Sequence, residues 1–331
     1  MSQRLHSIGS LAGAGLLGLS VLGTVVVLVV RFTALQERSA RFMGLAGIAT
    51  TVAVGCAAVG LLGALVVLWA GRSRPFAMAA VLPVVVALQM ASPTLGGLVS
   101  PERAGEGTPL TVLVQNVWYR NADLESAARS VLAHDATVIV LIEYTPEAGD
   151  AFHAAASIDR YPFRWEVERP FGRGIAVLSR VPFSEPVDLG LSGPGAVLGL
   201  QVGAVDVALY AVHVNAPGSV YDLPRWQSDM SVLTAAVQAA GSDTVVAGDM
   251  NATTGHRRFR SLSRAGDLRD AQDAGGGGFA GTWPAHRGVP PLLRIDHVLV
   301  GPGLGIESFR TLDPIGSDHL GVLAGLRVPR P

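Results

Sequence analysis

Apolar side chains are distributed in two different patterns along this chain. Residues 8–30, 42–71 and 75–101 hold no charged side chain. Each stretch reaches the roughly 20 residues that a helix needs to cross a bilayer. They predict three transmembrane helices, at about 8–30, 43–70 and 76–99, within a membrane anchor spanning residues 1–100. The first stretch does not read as a cleaved signal peptide, because Val25 to Val30 prolong the apolar run and no small-residue cleavage site precedes the next charges. Pro83, Gln89, Pro93 and Gly96 interrupt the third, which membrane helices with neighbours tolerate. Residues 101–109, rich in Gly, Pro and charge, read as a linker.

From residue 110 to 331 the runs are short, β-branched and punctuated by turn residues: Thr111 to Asn116, Thr137 to Glu143, Gly174 to Arg180, Val205 to Val214, Asp243 to Asp249, Arg294 to Val300 and Gly321 to Val328. These predict buried strands. Helical spacing recurs in Leu124 to Ala133, Pro146 to Ala156 and Arg225 to Ala240, so the second half is expected to be an α/β domain. The run Gly275 to Gly278 reads as a flexible loop rather than a nucleotide cradle.

Charge sharpens this division. The 331 residues carry a net charge of −1, but residues 1–100 hold six Arg and one Glu, and residues 101–331 hold 19 Arg against 25 acidic side chains. All 25 basic side chains are Arg, which fits the codon usage of a GC-rich genome. The single cysteine, Cys56, lies in an apolar run, which excludes a disulfide framework and a Cys-based zinc site. Arg4, Arg72 and Arg74 fall on one side of the membrane and Arg31, Arg38 and Arg41 on the other. The short loop Gly71 to Pro75 and the N-terminus favour the first set as cytoplasmic, so the second half is expected outside the cell.

The polar residues at strand ends carry the chemistry. Asn116, Glu143, His213, Asp249 with Asn251, Asp296, and Asp318 with His319 each sit at or just past the end of an apolar strand. One such carboxylate is commonly a structural hydrogen bonder. Six such strand ends on one rim point instead to a site. Carboxylates with Asn and His, and no thiolate, suit a hard cation such as Mg²⁺ or Mn²⁺, whose natural substrate is a phosphate ester or anhydride.

These residues fall in ordered motifs: Val114-Gln-Asn116, Leu141-Ile-Glu143, Tyr210-Ala-Val-His213, Gly248-Asp-Met-Asn251, Arg294-Ile-Asp-His297 and Gly316-Ser-Asp-His319. The set resembles the endonuclease/exonuclease/phosphatase superfamily. The resemblance implies a four-layered α/β sandwich of the DNase I-like kind. It also implies metal ligation by Glu143, Asn116 and Asp318, orientation of the attacking water and phosphoryl binding by Asp249 and Asn251, and a His319 imidazolium oriented by Asp296. His213 is then a phosphate contact or leaving-group acid, and His297 structural. Trp118 and Ile142 stand where many nucleases of the superfamily carry an acidic residue and Gln, which weakens carry-over of nuclease metal coordination. With three apolar stretches and Thr282-Trp-Pro284, the chain looks more like bacterial membrane phosphatases of the glycopeptide (teicoplanin) resistance type. That resemblance implies hydrolysis of a polyprenyl (undecaprenyl) diphosphate outside the cytoplasm.

The acidic balance of the second half argues against nucleic acid as partner, since duplex binding rests on Lys and Arg that displace counterions. Arg257, Arg258, Arg260, Arg264 and Arg269 form a local exception. They read as a solvated helix face, or as a site for nucleic acid, diphosphate or anionic headgroups. Tethering confines the site near a bilayer, so a lipid-linked diphosphate ranks first as substrate. A surface nuclease or sphingomyelinase-like phosphodiesterase ranks second, and a catalytically silent membrane sensor third. Arg225 and Arg173 are the candidate substrate contacts, with Arg169 and the loop Asn215 to Trp226 beside them. No obligate protein partner is inferred.

Overall fold

The structure, a computed structural model, describes residues 2–70, 77–102, 104–219, 221–286, 288–313 and 315–330. Arg72 and Arg74, with the loop Gly71 to Pro75, lie outside the described residues, as does the side chain of Arg4. The chain forms two compact units, residues 1–93 with 255–257, and residues 94–254 with 258–331.

The first unit is helical: α1 (Ser2–Phe32), α2 (Ala40–Gly47), α3 (Ala49–Trp69) and the larger part of α4 (Val81–Val99). Three segments, Ser7–Phe32, Ala49–Trp69 and Met78–Val99, are long and apolar enough to cross a membrane. The apolar stretch 43–70 is not one helix. Ser39 caps α2 through its hydroxyl, α2 stops at Gly47, and Ile48 leaves helical geometry before α3 begins. Small residues let the helices approach, with Ala49, Ala53, Ala57, Gly60 and Ala64 buried along α3. The Ser20 hydroxyl donates to the Cys56 carbonyl oxygen at 2.6 Å. Leu11, Leu19, Leu22, Leu61 and Leu65 point outward, which suits a lipid-facing surface better than a watery one.

The second unit holds two six-stranded mixed sheets. The first sheet has the order β11-β12-β1-β2-β4-β3 and the second β5-β6-β7-β8-β10-β9, with β4 at Ile175–Ser179, β5 at Val187–Asp188 and β9 at Arg269–Asp270. The strands that matter for the site are β1 (Thr108–Asn116), β2 (Val138–Ile142), β7 (Val205–His213), β8 (Thr244–Asp249), β10 (Asp296–Val300) and β12 (Gly321–Val328). Alternation sorts their side chains. Val112, Val114, Val140 and Ile142 meet Leu209, Ala247 and Val298 in a core between the sheets. Leu113, Ile139 and Leu141 face the other way, onto α5 (Leu124–Ala133) and α6 (Pro146–Ala154). Helix α7 (Asp222–Gln238) and helix α8 (Arg257–Ala265) cover the second sheet, with the Trp226 indole donating to the Met250 carbonyl and Phe259 stacked 4.5 Å from the His297 ring. Layer by layer this is a DNase I-like α/β sandwich.

Strands β3 (Phe163–Val167), β6 (Gly195–Val202) and β11 (Gly305–Leu312) do not read as buried apolar runs, because β6 and β11 mix buried with exposed positions and β3 is only partly buried throughout. The second unit also begins before the linker 101–109: Thr94 to Val99, the end of α4, belong to it.

Candidate active site

The alternation that fills the core also builds the site. Asn116 follows Val112 and Val114 on β1, His213 follows Leu209 and Ala211 on β7, Asp249 follows Val245 and Ala247 on β8, and Asp296 precedes Val298 on β10. Each is the last member of a row facing the opposite sheet. On the second sheet the register completes the arrangement, for Asp249 pairs laterally with His213 on one side and with Asp296 on the other. Gly248 makes this row possible, since a Cβ there would lie 1.8 Å from the Val212 carbonyl oxygen.

Glu143 arrives differently. Strict alternation would turn it away from the opposing sheet, but β2 ends at Ile142 and Glu143 adopts a left-handed backbone, φ 60°. Its carboxylate thereby meets the Asn116 amide, which donates to Oε1 at 3.1 Å and to Asp249 Oδ2 at 3.3 Å. The Tyr119 backbone N–H donates to Glu143 Oε2 at 2.9 Å. The Asn116 amide oxygen is occupied by the Trp118 N–H at 2.9 Å. Asn116 therefore clamps two carboxylates with its donor.

From the loop before β12, His319 places Nδ1 2.9 Å from Asp296 Oδ2 and 3.9 Å from Asp249 Oδ2. Asp318 lies 4.0 Å from His319 Nε2 and accepts from the Trp283 indole at 3.3 Å. Asn251 donates its backbone N–H to Asp249 Oδ1 at 2.8 Å and its amide to the Val214 carbonyl at 2.9 Å. The His213 ring is half-buried and has no hydrogen-bond partner among the described residues. His297, of opposite parity to Asp296, points away from the cluster and spans Asp270 Oδ2 and the Ala252 carbonyl, 2.9 Å from each.

Electrostatics distinguish these groups. Burial works against a charged His319, but Asp296 first, then Asp249 and Asp318, outweigh it and raise the imidazole to about 10. His213 moves the other way, to about 4, through burial and then the charge of His319. The surroundings thus favour the charged form of His319 and the neutral form of His213. Burial, reinforced by Asp296, pushes the Asp249 carboxyl well above the usual range against the opposing pull of His319 and the Asn251 amide. Burial raises Glu143 as well, although the Tyr119 and Asn116 hydrogen bonds oppose it.

A cluster of crowded carboxylates fits a cation. Asp249, Asp296 and His319 bring ligand atoms within 4.8 Å of one another. Asp296 Oδ1 is buried without a hydrogen-bond partner, and a hard divalent ion would offset the burial that raises Glu143 and Asp249. Glu143, Asp249, Asp296 and Asp318 offer the oxygens that such an ion prefers. When bound, it polarises phosphoryl oxygens and neutralises developing charge.

Sequence comparison decides the family at this point. A model of the endonuclease/exonuclease/phosphatase family matches residues 113–319. The chain belongs to that family. It is a phosphoester hydrolase by that membership and by the site just described. No curated protein sequence matches the chain significantly. Among solved structures, a family protein from Bacteroides thetaiotaomicron superposes with a TM-score of 0.56 at 16% identity, covering 68% of this chain and 100% of that one. The endonuclease/exonuclease/phosphatase from Beutenbergia cavernae gives 0.52 at 22% identity, covering 67% and 72%. The 3′ phosphatase NExo from Neisseria, bound to a product DNA hairpin, gives 0.52 at 20% identity, covering 65% and 98%. These likenesses establish the shared fold.

Neither candidate substrate contact has a hydrogen bond or ion pair to the cluster among the described residues. Arg225 pairs with Asp222 at 3.8 Å within α7, and nothing among the described residues joins it to the carboxylates. Arg173 is exposed, but it follows Gly172, where a Cβ would lie 2.9 Å from Glu143 Oε2, so its backbone borders the site. Sequence reasoning assigned no role to Thr282 or Ser317. The Thr282 hydroxyl accepts the N–H groups of Ile295 and Asp296, and its carbonyl accepts that of Leu320. Ser317 donates to the Asn116 carbonyl at 2.7 Å and accepts the His319 N–H at 3.0 Å. Ser317 was visible inside its motif; Thr282 acts on backbone 13 and 14 residues away, which no local pattern reveals.

Proposed function

We propose that this chain hydrolyses a lipid-linked diphosphate, a polyprenyl diphosphate of the undecaprenyl type, at the outer surface of the cell membrane, with Mg²⁺ as cation and Mn²⁺ as a functional substitute. The observation that carries this reading is the presence, on one chain, of three helices able to cross a membrane and a phosphohydrolase cluster. Tethering raises the local concentration of a substrate confined to the same bilayer. The acidic balance of residues 101–331 works against a polyanionic duplex.

In this reading Asn251 and the imidazolium of His319 bind the phosphoryl oxygens, and His319 stabilises charge that develops on them. Asp296 holds His319 in orientation, and Asp249 fixes the Asn251 backbone. Neutral His213 faces the leaving group. The biological role is recycling of a lipid carrier in the cell envelope, with glycopeptide resistance as its phenotype.

The second reading, a tethered nuclease or a sphingomyelinase-like phosphodiesterase, draws support from the NExo phosphatase bound to DNA on the same fold and from the Arg-rich helix α8. Full-length, detergent-solubilised protein should release phosphate from undecaprenyl diphosphate with Mg²⁺, lose that activity in EDTA, and leave single-stranded and duplex DNA intact. Cleaved DNA beside inert lipid overturns the first reading in favour of the second.

A further inference from the structure

The catalytic unit starts at Thr94, inside α4. The buried Thr94 hydroxyl donates to Asp273 Oδ1 at 2.6 Å. One turn later Gly97 touches the same residue, for a Cβ there would lie 1.6 Å from the Asp273 carbonyl oxygen. The Glu102 N–H donates to the Ala274 carbonyl at 2.9 Å, and the Glu102 carboxylate pairs with Arg269 and accepts the Ile306 N–H. Residues 94–102 are therefore bound along the short helix α9 (Ala271–Ala274).

On its other side Asp273 holds Arg294 in a two-pronged pair, 2.8 and 2.9 Å. Arg294 Nε also reaches Asp270 Oδ2 at 3.7 Å, and Asp270 holds His297. The network is largely enclosed: the side chains of Arg294, Asp273 and Asp270 are 13%, 14% and 8% exposed. Asp296 sits between Arg294 and His297 in sequence, and His297 reaches the Ala252 carbonyl, next to Asn251. A planar guanidinium held at three points fixes direction as well as distance. Catalytic groups lose efficiency when displaced by about 0.5 Å.

We propose that Thr94 and Arg294 are positioning residues for the reaction. The final turns of α4, through Asp273 and Arg294, set the entry of β10 and so the placement of Asp296 against His319. This assignment does not depend on which phosphate ester is the substrate.

The test uses full-length protein in lipid nanodiscs with bis(p-nitrophenyl) phosphate and Mg²⁺. A second readout is the downfield proton resonance of the His319–Asp296 pair, identified by its absence in His319→Ala. Thr94→Val, which keeps shape and removes the donor, should lower kcat about tenfold or more with KM within a factor of about two, and should shift the resonance. Thr94→Ser should restore both. If Thr94→Val does not fold, Asp273→Asn, which keeps the acceptor and shape, should show the same kcat loss and the same shift. An unshifted resonance in the folded variant, a loss confined to KM, or equal losses in Thr94→Val and Thr94→Ser would reduce the network to a staple and overturn the proposal.

Discussion

The two sheets supply the site by different means. The second sheet contributes a row in register, His213, Asp249 and Asp296, whose placement follows from strand pairing alone. The first sheet contributes Asn116 at a strand end, but Glu143, Asp318 and His319 from loops held by hydrogen bonds to Tyr119, Trp283 and Ser317. Asp249 and Asp296 of this row are buried, and their like charges are forced together. Of the loop groups, Asp318 and His319 are buried too, while Glu143 is half-buried. The second sheet thus places its carboxylates by register, while the first brings a carboxylate to the cluster from a loop.

Removing the first sheet's contribution should have the largest effect. Glu143→Gln keeps shape and the Tyr119 contact but loses charge, and kcat should fall by about 10³ or more with an unchanged circular dichroism spectrum. Severing the bridge between the sheets comes next. Asp296→Asn leaves His319 without its anionic partner, and kcat should fall by about 10², while the alkaline limb of the pH–rate profile moves to lower pH as the His319 imidazole falls from about 10.

Asp249→Asn sharpens the comparison, because activity and stability should move in opposite directions. A carboxyl raised in the folded state binds its proton more tightly there than in the unfolded chain. Its stabilising contribution is therefore greatest at low pH and is lost as pH rises toward the folded value. Replacing it should make the metal-free protein roughly 1 to 2 kcal/mol more stable near neutral pH, read by denaturant titration, even as turnover drops. The smallest effect is thermodynamic competition at Glu143, whose carboxyl is also raised. Mn²⁺ affinity, measured by calorimetry in two buffers, should weaken as the pH is lowered, with proton uptake on metal release.

Much of this was legible in the sequence because strands buried on both faces leave continuous apolar runs. β1, β2, β7, β8 and β12 leave such runs, and each ends at or beside a polar residue that the fold brings to one mouth. Strands with one wet face were not legible: β11 carries Glu307 and Arg310, and β3 carries Arg164 and Glu166. Helix α8 has only Phe259 and Leu262 buried among four Arg, so its sequence reads as charge before it reads as helix. The motifs named the polar residues of the cluster but could not show which atom each presents. The amide of Asn116 turned toward Glu143 and Asp249, and the isolation of Arg225 from the cluster, depend on rotamers and neighbours far away in the chain.

Trp118, Glu143 and Asn251 all hold left-handed backbones, at φ 57°, 60° and 46°. Each such non-glycine residue costs on the order of 1 kcal/mol relative to an ordinary conformation. Laboratory evolution for heat resistance should therefore be drawn to glycine at these three positions, where strain disappears without a clash. Lineages that accept it at 143 or 251 would gain durability while discarding a carboxylate or an amide at the mouth. Selection on both traits together should leave these codons fixed while the surrounding loops drift.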